Sequence, residues 1–151
     1  KRFTACTKKD PFPTNEEMSQ IQTYVKEILS AYPNFIGACE TAFLIGGTAR
    51  AAAKLHSTLF SDGTLNEGYT FSAEDLKKVY LHALDDTQKN GKWLRETVSD
   101  RVLSIMPGLA AYVTIAETLQ LSRFVISNAG VREGFLTQYI KKNFLPESPK
   151  S

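Results

Sequence analysis

Histidine and cysteine are nearly missing from this chain, two of each in 151 residues, and tryptophan occurs once. Cys6 and Cys39 lack the spacing of a metal site, His56 and His82 lie far apart, and no HExxH or CxxC pattern occurs. Thiolate, zinc and cysteine–histidine chemistries therefore lack their usual ligands and nucleophiles. One conceivable bridge is weak evidence for secretion in a chain long enough to bury a core without it, so reduced thiols are expected. Charge of one sign is also missing: 18 Lys+Arg against 16 Asp+Glu leaves +2. With no dense basic stripe, affinity built on neutralising many nucleic-acid phosphates is excluded, and no DNA partner is expected. Local phosphate binding stays open. No apolar run reads as long enough to cross a bilayer, and Lys1-Arg2-Phe3-Thr4 is not followed by a signal-peptide core. Neither membrane nor export is expected, and the cytoplasm is the expected location. Fixed-period repeats, low-complexity blocks and internal linkers are absent too.

What is present is a globular composition, 42% hydrophobic and 23% charged. It suits one domain, expected over residues 1–145, with a frayed Pro-, Ser- and Lys-containing tail at 146–151. The chain opens without Met on a basic stretch, and reads as a piece of something longer. Thr14-Asn15-Glu16-Glu17 has capping-box spacing, and Met18, Ile21, Val25, Ile28, Leu29 and Tyr32 follow on one helical face until Pro33 and Gly37. Thr41 to Ile45 is a short apolar run without alternation, as in a parallel strand covered on both faces. Gly46-Gly47 then turns the chain into a helix rich in alanine from Thr48. Ser61 to Gly68 reads as a surface loop, and Ser72 caps a helix carrying Leu76, Val79, Tyr80, Ala83 and Leu84. Asn90-Gly91 reads as a helix stop, Lys92 to Val102 as a further helix, and Pro107-Gly108 as the entry to a buried helix from Leu109 to Leu119. Phe124 to Ser127 repeats the strand reading, before Asn128-Ala129-Gly130 and a last helix with Phe135, Leu136, Tyr139 and Ile140. Two strands make a poor sheet, so further strands are expected upstream.

Gly46-Gly47-Thr48-Ala49-Arg50 lies where a strand ends and a helix begins, the place where unpaired amides and the helix dipole favour an anion. Thr48 adds a hydroxyl and Arg50 a cation; a lone Gly-Gly turn, however, serves as readily for close helix packing. Ser127 to Gly134 repeats the arrangement, with Arg132 and Glu133 early in the helix as anion contacts or as a simple ion pair. Two such turns in one parallel sheet open on the same edge, where open α/β folds bind ligands. Asp100-Arg101 before Pro107-Gly108 reads as a partly solvated charged pair and a helix-entry turn. Asp85-Asp86 reads as a solvated face rather than a cation site, Lys141-Lys142 as the usual basic helix end, and both histidines as surface or boundary residues. No catalytic constellation closes, and no metal-ligating set is assigned.

These three segments, in this order, resemble the Ppx/GppA family of exopolyphosphatases and guanosine pentaphosphate phosphohydrolases, within the actin, hexokinase and heat-shock-chaperone ATPase superfamily. The family's Gly-Gly-Thr turn stands at Gly46 to Arg50, its acidic-Arg pair and helix entry at Asp100-Arg101 and Pro107-Gly108, and its Ser-Asp-x-Gly-x-Arg-Glu-Gly segment at Ser127 to Gly134, with Asn128 where Asp is common. Phe3 to Glu17 resembles the stretch after the strand hairpin of the family's second domain. The resemblance implies an α/β fold: a helix-rich, ribonuclease H-like lobe of that superfamily, truncated at its N-terminal strands. It further implies that the parent releases terminal phosphate from inorganic polyphosphate or guanosine pentaphosphate, and that the family's other lobe, with its phosphate loop and general-base Glu, lies outside this chain. Gly46, Gly47, Thr48, Arg50, Gly130, Arg132, Glu133 and Gly134 would then hold phosphate or nucleotide, none being catalytic. A divalent metal, expected as magnesium, would sit mainly on the missing N-terminal lobe. A binding module without turnover, or a structural domain whose sheet edge forms a homodimer, are the alternative readings.

Overall fold

The computed structural model describes residues 12–127 and 129–144. Thr14 starts the first helix, α1 (Asn15–Ser30), by the reciprocal bonds its sequence implies. Its hydroxyl accepts from the Glu17 amide at 3.2 Å, and the Glu17 carboxylate accepts from the Thr14 amide at 2.8 Å. Met18, Ile21 and Val25 are buried, whereas Ile28 is exposed and Tyr32 stands beyond the helix, also exposed. After a 3₁₀ turn at Pro33–Phe35 come β1 (Thr41–Ile45) and α2 (Gly47–Phe60), the strand, glycine turn and helix that the sequence implies.

The polar loop does not run straight into its helix. Thr70–Ser72 forms a short strand, β2, ahead of α3 (Ala73–Gln88), and pairs antiparallel with β3 (Arg123–Ser127), Thr70 opposite Val125. Strand β3 lies parallel to β1, from Thr41 opposite Arg123 to Ile45 opposite Ser127, so the order is β1-β3-β2. The expectation that β1 is covered on both faces is corrected. It is an edge strand among the described residues; Ala42 and Leu44 pack on the helical layer, while Phe43 and Ile45 are 69% and 52% exposed. Pairing on one side and packing on one face leave an uncharged strand open, the arrangement that recruits another β-edge.

Asn90 and Gly91 both take positive φ and turn the chain into α4 (Lys92–Thr97). Asp86 makes this junction: its carboxylate accepts from the Trp93 and Leu94 amides at 3.1 and 3.0 Å, and its carbonyl accepts from the Lys89 and Gly91 amides. Asp86 is thus a helix anchor rather than a solvated charge, whereas Asp85 pairs with Lys89 on the surface. The helix expected from Lys92 to Val102 is broken at Val98 and by a 3₁₀ turn at Ser99–Arg101. Helix α5 (Val102–Leu119) begins before Pro107, which lies inside it rather than at its entry. The backbone bond Pro107 forgoes is to the carbonyl of Leu103, a residue 65% exposed, so the break falls on the solvated first turn. The stretch Ser99–Leu119 is, contrary to the sequence reading, long and apolar enough to cross a membrane by length and composition. Its apolar side chains have a partner in the fold: Ile105, Met106, Leu109, Ala110 and Val113 are buried among α1, α2 and α3. Helix α6 (Val131–Phe144) completes the order, with Phe135, Leu136, Tyr139 and Ile140 exposed and Lys141 and Lys142 in its last turn. Cys39 is free and exposed; Cys6, residues 1–11 and the tail expected at 146–151 lie outside the described residues.

His56 of α2, read from the sequence as a surface or boundary residue, is buried at the far end of the sheet. Its ring stacks on Phe71 at 5.0 Å, and Nδ1 lies 2.8 Å from the Tyr69 hydroxyl. Burial holds its pKa below the ordinary value, partly offset by Asp75, whose Oδ2 is 4.0 Å from Nε2. The unfolded chain therefore takes up this proton first as pH falls, so acid removes stability once pH drops below about 6.5. The melting temperature should decrease between about pH 7 and 5, and this decrease should shrink in His56→Gln, in a pH series of thermal melts. A melting temperature rising towards pH 5 would contradict the sign. Asp75, with its pKa lowered first by the Ser72 hydroxyl and then by Lys78, acts in a lower window, losing its contribution as pH falls below about 4.

Candidate anion site at the sheet edge

Because β1 and β3 are adjacent and parallel, the turns that follow them open side by side. Ile45, Gly46, Gly47, Arg50, Arg101, Ser127, Gly130, Arg132 and Glu133 line one cavity there, of about 620 Å³. Gly46 has φ 102° and ψ −176°, outside the range an L side chain adopts without strain, so this turn requires glycine. It caps α2 with no side-chain hydrogen bond, leaving the first-turn amides of that helix for a ligand. The second turn is tied differently. Ser127 Oγ donates to the Ala129 carbonyl at 2.9 Å, and Glu133 Oε2 accepts from the Gly130 amide at 2.8 Å. Backbone amides, that of Glu133 itself first and that of Gly130 next, then Arg132 and Arg50, hold the Glu133 carboxyl below its usual range. At Gly130 an added Cβ would lie 3.9 Å from Ile45 Cγ2, so the second turn rests on the end of β1.

Arg101 is the residue that local sequence reading passed over. Its guanidinium lies on Gly47, where a Cβ would stand 2.5 Å from Nη2 and 2.7 Å from Cζ. Asp100 steadies it, accepting from Nε at 3.3 Å. The 3₁₀ turn at Ser99–Arg101 therefore delivers a third arginine to the cavity alongside Arg50 and Arg132, against the one carboxylate of Glu133. Among the described residues, neither Arg50 nor Arg132 has an ion-pair partner. The signal is Asp100-Arg101 just ahead of a helix, which reads as a solvated pair until the fold closes Arg101 onto Gly47.

Six of the eight residues expected at the site meet there: Gly46, Gly47, Arg50, Gly130, Arg132 and Glu133. Thr48 and Gly134 do not line the cavity. The Thr48 methyl instead packs against Gly108 of α5, and Gly134 sits in open space one turn into α6, its amide bonded to the Gly130 carbonyl. Asn128 lies outside the described residues. Glu133 is the sole carboxylate of the cavity and is engaged by a backbone amide, and no group of three metal-ligating side chains forms among the described residues. These donors do not fit a divalent ion of their own.

A helix-rich α/β layer carries two glycine turns at the carboxyl ends of parallel strands, with three arginines lining the same cavity, on a fold of the actin and hexokinase type. The profile of the Ppx/GppA phosphatase family matches residues 1–143, and the chain belongs to that family. A crystal structure of the Aquifex aeolicus Ppx/GppA family member superposes with a TM-score of 0.71 at 21% identity, over 94% of this chain and 46% of that one. The type II variant from the same organism gives 0.70 at 22% identity, over 91% and 45%. An exopolyphosphatase-like protein gives 0.71 at 19% identity, over 91% and 46%. The chain thus spans about half the length of the solved structures it matches. No curated protein matches.

Proposed function

We propose that this chain holds the phosphate of a phosphoanhydride hydrolase acting in the cytoplasm on inorganic polyphosphate or guanosine pentaphosphate. The observation that carries the reading is the cavity where two uncharged glycine turns and the cations of Arg50, Arg101 and Arg132 converge. The amides at Gly47 and the three guanidiniums hold the oxygens of the terminal phosphoryl group and reduce the repulsion that its negative charge opposes to the attacking water. Water attacks the terminal phosphorus, the bridging P–O bond breaks, and orthophosphate leaves the shortened chain. The base that takes the water proton belongs to the other lobe of the parent. Glu133, tied to Gly130 and ionised, orients the start of α6 and with it Arg132. A divalent ion, expected as magnesium, belongs to that lobe as well, and nothing assigned here to these residues depends on it.

Calorimetric titration with tripolyphosphate tests the reading. Binding should be measurable and should weaken about 10–100-fold in Arg132→Ala, the effect of one charge-assisted contact. Equal affinity in both proteins would overturn the site. Phosphate release by this chain alone should be absent; release that disappears in Arg132→Ala would place the base within the chain. A second reading, docking to another subunit as a homodimer, is favoured by the open β1 edge with Phe43 and Ile45 exposed. Sedimentation showing a dimer indifferent to phosphate ligands and to Arg132→Ala would favour it.

A further inference from the structure

Among the described residues, Nε2 of His56 is the one buried side-chain nitrogen or oxygen without a hydrogen-bond partner. Asp75 Oδ2 is 4.0 Å away, beyond hydrogen-bond distance. Aromatic rings enclose the imidazole, with centroids at 5.0 Å for Phe71, 4.9 Å for Phe60 and 5.7 Å for Tyr69. Two of these three rings come from residues 61–72, the loop that ends in β2. That stretch is lightly held. Strand β2 has three residues and forms the second edge of the sheet among the described residues. The loop is tied back by Ser57 Oγ donating to the Thr64 carbonyl at 2.6 Å, and the Ile126 amide donates to the Tyr69 carbonyl at 2.8 Å. The ionisable groups around the ring are the Tyr69 phenol, Asp75 of α3, and Glu40 and Arg123 on the walls of the same cavity. Asp75 accepts from the Ser72 hydroxyl at 2.7 Å and pairs with Lys78, which also pairs with Glu74, while Arg123 Nε donates to Thr41 Oγ1. The nearest carboxylate is thus held by two other donors.

We propose that His56 is a proton-operated latch on residues 61–72. Neutral, the ring holds Tyr69 and Phe71 against α2. Protonated, it carries a charge in an aromatic enclosure with no carboxylate at hydrogen-bond distance, and the stretch lifts from β3 to admit water. Burial costs the charged ring more than Asp75 returns, so the closed form takes up the proton less readily than the open one, whose ring is solvated. The latch is therefore fully held above the ordinary histidine value of about 6.5 and is released as pH falls below it, no more steeply than about tenfold per pH unit for one proton. Asp75, held below its usual range, stays ionised through this window. Release is a sub-global opening: it frees the second edge of β3 and leaves the β1–β3 pair and the glycine turns at its other end in place.

The test is amide hydrogen exchange of the whole chain, read as protection relative to the unfolded rate at each pH from 7.5 to 5.5 and at several low concentrations of denaturant. The reporters are the amides of Tyr69 and Ile126, bonded to the Asn66 and Tyr69 carbonyls, with the amides of α5 as the measure of global unfolding. Both reporters should be less protected than α5, depend only weakly on denaturant, and lose protection as pH falls. His56→Gln should abolish that loss. His82, which packs on Trp93 at 4.6 Å, is retained in this variant, so its titration is common to both proteins. Asp75→Asn removes the charge that favours the imidazolium and should make the loss of protection larger, which a purely structural role for Asp75 would not do. Reporters that match α5 in protection and in denaturant dependence would overturn the latch, because the stretch would then open only with the whole molecule. So would a loss that persists in His56→Gln. If His56→Gln fails to fold, an unchanged or smaller loss in Asp75→Asn would overturn the assignment to His56.

Discussion

Alanine at position 47 should weaken tripolyphosphate binding about 10–100-fold without lowering the melting temperature, the loss equalling one charge-assisted contact. Gly47 is a helical residue at the start of α2 and does not take positive φ, so its backbone accepts alanine, which by propensity favours the helix by up to about 1 kcal/mol. The new methyl would stand 2.5 Å from Arg101 Nη2, and the neighbour that must yield is the far end of a flexible side chain. The strain is thus relieved by moving the guanidinium off the cradle, and stability and binding separate. Arg101→Ala should give the same loss by removing the cation directly. The double variant should lose no more than either single variant, because both changes act on one group. Wild-type affinity in Gly47→Ala, with Arg101→Ala impaired, would show that the guanidinium reaches phosphate from another position. Full affinity in both would take Arg101 out of the site.

The second large effect concerns Thr48. Its methyl occupies the space beside Gly108 of α5, where any added Cβ collides with it. Threonine is β-branched and short, so it cannot swing clear as arginine can. Gly108→Ala should therefore destabilise the fold by about 1–3 kcal/mol, a decrease of about 3–10 °C in melting temperature for a chain of this size. Thr48→Ser deletes the colliding methyl and keeps the hydroxyl, and should restore much of the loss when added to Gly108→Ala. A strictly additive double variant would show that the collision is relieved elsewhere. A separate variant assigns Thr48: Thr48→Val keeps the branched shape and removes the hydroxyl, and if Thr48 serves packing alone it leaves tripolyphosphate affinity unchanged.

The turns were legible because their chemistry is local. Thr14 and Ser72 cap as their spacing implies, Asn90-Gly91 stops a helix through positive φ, and the short apolar runs Thr41 to Ile45 and Phe124 to Ser127 lie in β1 and β3. Strand β2 was not legible: three residues carry no period, and it exists only because β3 offers Thr70–Ser72 a free edge. Pro107-Gly108 misled for the opposite reason. Proline suits a helix start, yet the burial of Ile105 and Met106 extends α5 backwards through it, tertiary packing outweighing a local preference. Apolar character likewise did not tell which face of β1 was covered, because hydrophobicity records what a residue tolerates rather than what stands opposite it.

The sequence by itself determined the starts of α1 and α3, the two glycine turns after strands and the family, and it named six of the residues that line the candidate cavity, because caps, φ preferences and short motifs are properties of neighbouring residues. Only the tertiary structure brought Arg101 onto Gly47, sent Thr48 into the α5 contact and left Phe43 and Ile45 on an open edge. Each of those depends on distances between segments far apart in the chain, and such distances are fixed by packing rather than by any residue's own preference.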